Sequence, residues 1–161
     1  IQYFWEEKGT PVKLEILELE VEIERIFNVV LTSESSQGEI KFSHVKPGEA
    51  IKKSEVIVQI NTNLGKQYQL SQNVSSELIN KQGDKIPIPY FSCRTESLAT
   101  LGSLRFANNQ EIKKGDTTLF VSDNKGSPDK FKVIYELSIP KNENIQAGDY
   151  STRVTYSLLE L

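Results

Sequence analysis

The stretch Ala147-Gly148-Asp149-Tyr150-Ser151-Thr152-Arg153-Val154-Thr155-Tyr156-Ser157-Leu158-Leu159-Glu160-Leu161 decides the fold class. From Tyr150 on, the even positions carry Tyr150, Thr152, Val154, Tyr156 and Leu158; the odd positions carry Ser151, Arg153, Thr155 and Ser157. Successive side chains of a strand point to opposite faces, so this alternation predicts a strand with one buried and one wet face. The pattern runs almost to Leu161, which predicts a strand seated in its sheet rather than a frayed tail. What lies beside such a strand is then the question, and another subunit is the expected neighbour.

The same period of two recurs along the chain. Over 55–62, Val56, Val58 and Ile60 share one face; after a turn at Asn63-Leu64-Gly65-Lys66, Tyr68, Leu70 and Val74 alternate with polar residues. Pattern and turn chemistry together predict a hairpin. Phe131, Val133, Tyr135, Leu137 and Ile139 form another face, and shorter strands are expected at 39–42, 88–95, 104–106 and 117–122. Clusters rich in Gly, Pro, Asn, Asp and Ser separate them, as turns require. Many short strands joined by polar turns, with helical periodicity nearly missing, predict an all-β chain folded as an antiparallel β-sandwich.

The run Val12-Lys13-Leu14-Glu15-Ile16-Leu17-Glu18-Leu19-Glu20-Val21-Glu22-Ile23 needs separate treatment. Leu and Glu favour helix, yet on a 3.6-residue wheel the apolar residues fall into two stripes rather than one face. Read as strand, the phase changes: Val12, Leu14 and Ile16 are even, whereas Leu17, Leu19, Val21 and Ile23 are odd. Such a flip marks either a β-bulge or the boundary between two strands that insert in different places. The second reading divides the chain into an N-terminal extension, 1–17, and a sandwich domain, 18–161.

With 161 residues, 37% of them hydrophobic and 25% charged, the chain has the composition of one globular domain. No apolar run approaches the roughly 18 residues of a membrane-spanning helix, so no membrane insertion is expected. A net charge of −3 and scattered lysine pairs offer no basic face for nucleic acid. The sequence contains no Met and opens Ile1-Gln2-Tyr3-Phe4-Trp5. A removed leader or a cut fragment would each account for that.

Residues with catalytic potential are sparse. His44 is the single histidine and Cys93 the single cysteine, so neither a multi-histidine metal site nor an intrachain disulfide is available. Cys93 alternates in phase with Phe91 and Thr95, which predicts a buried thiol. Asp123-Asn124-Lys125-Gly126-Ser127-Pro128-Asp129 lacks the spacing of an EF-hand and reads as turn chemistry. The expectation is no enzyme, no cofactor and no metal.

The closing motif, Ala147-Gly148-x-Tyr150-x-x-x-Val154-x-Tyr156-x-Leu158, resembles the ending of spore-coat-protein-U-like subunits, the pilins of archaic chaperone–usher fimbriae. Ile40-Lys41-Phe42 followed by Val45-Lys46-Pro47-Gly48-Glu49 is similar to a segment of the same pilin-like sandwiches. The resemblance implies an incomplete immunoglobulin-like sandwich completed by donor-strand exchange, the N-terminal extension of the next subunit supplying the missing strand. On that reading Val12, Leu14 and Ile16 anchor the donor strand, while Tyr150, Val154, Tyr156 and Leu158 line the acceptor groove. The partners are copies of the same chain in a head-to-tail polymer, with an assembly chaperone implied beside them. The protein would be a structural subunit of an extracellular, pilus-like filament at the cell surface. The lone Cys93 departs from the family, whose subunits usually carry a disulfide. A different class of function is a monomeric cell-surface carbohydrate-binding or adhesive module, using Trp5, Tyr90 and Phe91 as platforms and 76–115 as binding loops.

Overall fold

The computed structural model describes residues 4–7, 10–13, 20–33 and 39–161, the first two segments by their backbone alone. Fourteen strands follow in chain order: β1 (Phe4–Glu7), β2 (Thr10–Lys13), β3 (Phe27–Ser33), β4 (Glu39–Val45), β5 (Lys52–Thr62), β6 (Tyr68–Val74), β7 (Leu78–Ile79), β8 (Lys85–Ile86), β9 (Phe91–Ala99), β10 (Ser103–Leu104), β11 (Gln110–Glu111), β12 (Gly115–Val121), β13 (Asp129–Leu137) and β14 (Gly148–Glu160). One 3-10 turn, Ile88–Tyr90, is the helical element among the described residues.

The strands form an all-β sandwich of two antiparallel sheets. One runs β11-β9-β13-β5-β3; the other runs β10-β12-β6-β14-β7-β8, with β4 also on β14. The inner faces meet in a core of Val58, Ile60, Tyr68, Leu70, Phe120, Phe131, Val133 and Tyr135, all fully buried. Aromatic pairs knit the layers, Phe120 stacking on Phe131 at a centroid distance of 5.0 Å. The alternating positions of β5, β6 and β13 are buried as the sequence predicts, Val56, Val74 and Leu137 included.

The expected hairpin between β5 and β6 is not there. The two strands lie in opposite sheets, and the chain crosses between them over 63–67. Alternation and a polar, Gly-containing turn look the same in a hairpin and in an arch between sheets. What decides is where the turn's polar groups go. The Asn63 carboxamide turns back along β3, donating to the Glu24 carbonyl at 2.7 Å and accepting from Ile26 N–H at 2.8 Å.

Connectivity is immunoglobulin-like. The order β3-β5-β13-β9 reproduces the A-B-E-D sheet, and β6 beside β14 reproduces C beside F. A tyrosine corner marks the start of β14: the Tyr150 hydroxyl donates to the Gln146 carbonyl at 2.6 Å, as strand F of such folds requires. This gives the Ala-Gly-x-Tyr motif a physical role at the corner between β13 and β14. One departure is chain order, since β12, on the far side of β6, comes after β9 rather than before it.

Candidate functional site

With β14 in the place of strand F, the place of the final strand is taken, among the described residues, by β4 along the first half of β14. Strand β4 pairs with β14 from Gly148 to Arg153, where Arg153 meets Glu39. On the other side β6 pairs with Val154 through Glu160. Among the described residues no strand pairs with 154–160 on the side away from β6.

Backbone hydrogen bonds show which groups face that side. The Arg153 carbonyl accepts from Ser75 N–H, and Leu161 N–H donates to the Gln67 carbonyl, so odd residues are directed toward β6. N–H and C=O of one strand residue point to the same side. Val154, Tyr156, Leu158 and Glu160 therefore present their amides and carbonyls to the open edge.

Side chains tell the same story. Tyr150, Thr152 and Val154 are buried, but Tyr156 and Leu158, in phase with them on the inner face, are only half-buried. Exposure rises past Arg153, the last residue of β14 paired with a described residue of β4. The alternation of the sequence had placed both in the core, and they are instead partly exposed. Across the flank stands β3, the edge strand of the other sheet, with Phe27, Val29 and Leu31 opposite Thr62, Ile60 and Val58. Residues directly opposite in an antiparallel pair share a face, so these three also point inward. Yet Leu31 is 41% exposed while its partner Val58 is at 0%. The flank is closed at its lower end by Glu160, which binds Lys66 at 2.7 Å and Arg25, just before β3, at 2.9 Å. Lys66 and then Arg25 hold this carboxyl below the ordinary carboxylate range.

Of the acceptor residues read from the sequence, Val154, Tyr156 and Leu158 line this half-edge, whereas Tyr150 lies opposite Phe42, under β4. Of the donor residues, Val12 sits in β2 across from Trp5 of β1 in a two-stranded hairpin. Leu14 and Ile16 lie outside the described residues. Strand β4 as the partner of β14, and Phe27, Val29 and Leu31 as the opposite wall, were not read from the sequence. The alternation Phe27-x-Val29-x-Leu31 was the available signal.

A second concavity lies at the other end of β14. His44, Lys81, Asp84, Gln146 and Asp149 line an open polar cleft of about 520 Å³. His44 adopts a left-handed backbone, φ 53°, and its N–H donates to the Asp149 carboxylate at 2.9 Å. The pairing of β4 with β14 shifts register between Gly148 and Tyr150, so this geometry belongs to a β-bulge. Cys93 is fully buried, with Gln72 Nε2 donating to its Sγ at 3.6 Å; burial pushes the thiol up to about 11. The 123–129 segment is a turn closed by Asp123, whose carboxylate accepts from Ser127 N–H and hydroxyl at 2.8 Å each. Phe91, one of the three aromatic platforms of the alternative reading, is buried at 1% and faces no solvent.

The chain is thus a β-sandwich with immunoglobulin-like connectivity in which, among the described residues, 154–160 pairs on one side only. No protein-family model matches it, and no curated protein does. Among solved structures it is similar to part of a family 123 glycoside hydrolase from Clostridium perfringens, studied for glycolipid glycan hydrolysis, with 18% identity and a TM-score of 0.40. The match covers 69% of this chain and 18% of that one, so the chain spans under a fifth of that enzyme. A likeness this distant carries no functional argument.

Proposed function

We propose that the protein is a structural subunit of an extracellular filament, whose copies join when an N-terminal segment of one adds as a strand to the flank of the next. The observation that supports this reading is the half-edge at 154–160, whose outward backbone groups have no partner among the described residues and lie above inward-facing, half-buried side chains. Exposed strand edges are a hazard that self-contained domains cover or blunt with charge. Here the inner-face residues along the edge are apolar, and no charged side chain precedes Glu160 on that face. An added strand would complete the ladder and bury what remains exposed of Leu31, Tyr156 and Leu158, each gaining a fraction of the roughly 1.5–3 kcal/mol that full burial of a large apolar side chain is worth. The surfaces joined are different on the two copies, so the contact propagates rather than closing into a dimer. An assembly chaperone would hold the same flank before subunits meet.

The test is electrophoresis of the native protein in SDS with and without boiling. A ladder that collapses to monomer on boiling is expected, because a complete β-ladder resists detergent until the fold melts. Monomer in both lanes, together with monomer by light scattering, would overturn the proposal.

A further inference from the structure

We infer that the polar cleft at the start of β14 is a binding site for a neutral saccharide, with its two walls held in place by the tyrosine corner. One wall is the turn between β7 and β8, which supplies Lys81, Gln82 and Asp84. The other is the segment entering β14, with Gln146 and Asp149, and His44 of β4 lines the cleft beside them. Its volume of about 520 Å³ is that of a small-molecule site. A second concavity of about 250 Å³ continues past Lys81 and Asp149 to Lys41, Ile79 and Ser151. Both lie at the opposite half of β14 from 154–160, so the site does not depend on filament assembly.

The walls are fixed before any ligand arrives. The buried Tyr150 hydroxyl donates to the Gln146 carbonyl in one wall and lies 3.5 Å from Asn80 Nδ2 at the base of the other. Asn80 is itself only 8% exposed. Its Nδ2 donates to Asp84 Oδ2 at 2.8 Å, and its Oδ1 accepts from Gln82 N–H at 3.0 Å and Asp84 N–H at 2.8 Å. One buried hydroxyl therefore ties the two walls together. Each carboxylate is anchored through one oxygen, Asp84 by Asn80 and Asp149 Oδ1 by His44 N–H, which leaves its second oxygen for a ligand. Groups held this way lose little freedom on binding.

The lining selects the ligand's chemistry. Ala147 and Ile79 are the apolar side chains along the two concavities, so a ligand there is held by hydrogen bonds rather than by apolar contact. Donors on Lys81, Gln82 and Gln146 are interleaved with acceptors on Asp84 and Asp149. The His44 N–H, with Lys41 and Lys81 behind it, holds the Asp149 carboxyl below the ordinary range, so it is an acceptor at neutral pH. A phosphate or carboxylate offers acceptors alone and would face two carboxylates. An ammonium offers donors alone and would face Lys81. Adjacent sugar hydroxyls each donate and accept, and they match both sets without carrying charge. The charges of Lys41 and Lys81 against Asp84 and Asp149 likewise cancel. Between Gln146 and Asp149 the lining is Ala147-Gly148, with no large side chain to keep a sugar ring off the backbone. A Cβ at Gly148 would meet one atom within 4 Å, Asn80 Nδ2 at 3.9 Å, so a larger residue can enter there without displacing the fold.

The experiment places the full chain on an array of neutral and acidic oligosaccharides. At least one neutral glycan should be retained. Lys81→Ala/Gln82→Ala should keep the wild-type melting temperature, since both side chains are exposed. The same variant should weaken retention by roughly tenfold or more, the effect of removing a charged and an amide donor. Gly148→Val, which narrows the cleft, should weaken it as well. Retention of acidic glycans alone, abolished by inorganic phosphate, would make this an anion site and overturn the inference. Undiminished retention by both variants would put the sugar elsewhere, and no retained glycan would remove the site; either result overturns it too. A missing SDS ladder would count against strand addition and leave this site untouched.

Discussion

The hydroxyl of Tyr156 in β14 lies 2.6 Å from that of Tyr135 in β13, joining the two sheets through the core beside the open flank. Tyr135 also donates to Gln72 Oε1 at 2.7 Å. Burial, reinforced by Tyr156, pushes the Tyr135 hydroxyl far above the ordinary phenol range, so it works as a neutral hydrogen-bonding group throughout. Tyr156→Phe should cost about 0.5–1.5 kcal/mol, one net hydrogen bond. Tyr135→Phe should cost more, because it leaves both Gln72 Oε1 and the Tyr156 hydroxyl without their partner. Urea titrations of the two variants will rank them. The reverse order would show that the network is centred elsewhere.

Strand addition at 154–160 depends on backbone donors as well as side chains. Leu158→Pro removes an N–H that faces the open edge, and it leaves the β6 ladder intact because odd residues supply that ladder. Leu158→Ala shortens the side chain but keeps the N–H. The expected result is that proline abolishes the unboiled ladder while alanine only weakens it. Equal effects from both would mean that side-chain burial alone drives assembly.

Cys93 should be inert in the folded protein. Its thiol is buried and titrates near 11, so the thiolate that reacts with disulfide reagents is scarce at neutral pH. Ellman's reagent at pH 8 should label it only at the rate of unfolding. Because Gln72 Nε2 already donates to this position, Cys93→Ser keeps a hydrogen-bond partner and should cost no more than about 1–2 kcal/mol. Rapid labelling of the native protein would contradict the burial.

Two carboxylates should give the pH profile of stability opposite slopes. Burial raises Asp129 above its ordinary 3.8, although Leu101 and Gly102 N–H groups on its Oδ1 oppose the rise. With a raised folded value, its contribution is full below the ordinary value and is lost as pH climbs through the raised one. Burial works against Glu136 too, but Asn109, Lys53 and Arg94 bring it below its ordinary 4.5. Its contribution is present above that value and fades as pH falls through the lowered one. Melting temperatures between pH 2 and 8 should therefore show Asp129→Asn gaining on wild type as pH rises through mildly acidic values. Glu136→Gln should lack part of the acid-side loss. Parallel profiles for all three proteins would refute both assignments.

Which faces are buried was legible along the chain, and which strands meet was not. The alternation in 150–158 specified a strand and its inner residues, and β5, β6 and β13 turned their predicted faces inward. Period two is a local property of the backbone: side chains two apart share a side whatever the strand pairs with. Pairing is a relation between distant segments, and one alternating pattern satisfies a hairpin and an arch equally. So β5 and β6 read as partners yet lie in opposite sheets, with the Asn63 carboxamide bound to the segment just before β3 instead of closing a hairpin turn. The Tyr150 corner and the left-handed His44 within the bulge of β4 belong to the tertiary structure in the same way. Tyr156 and Leu158 show the division most plainly. Their phase marked them as inward-facing, but how wet they remain depends on the neighbouring strand, a relation between distant segments that no local pattern states.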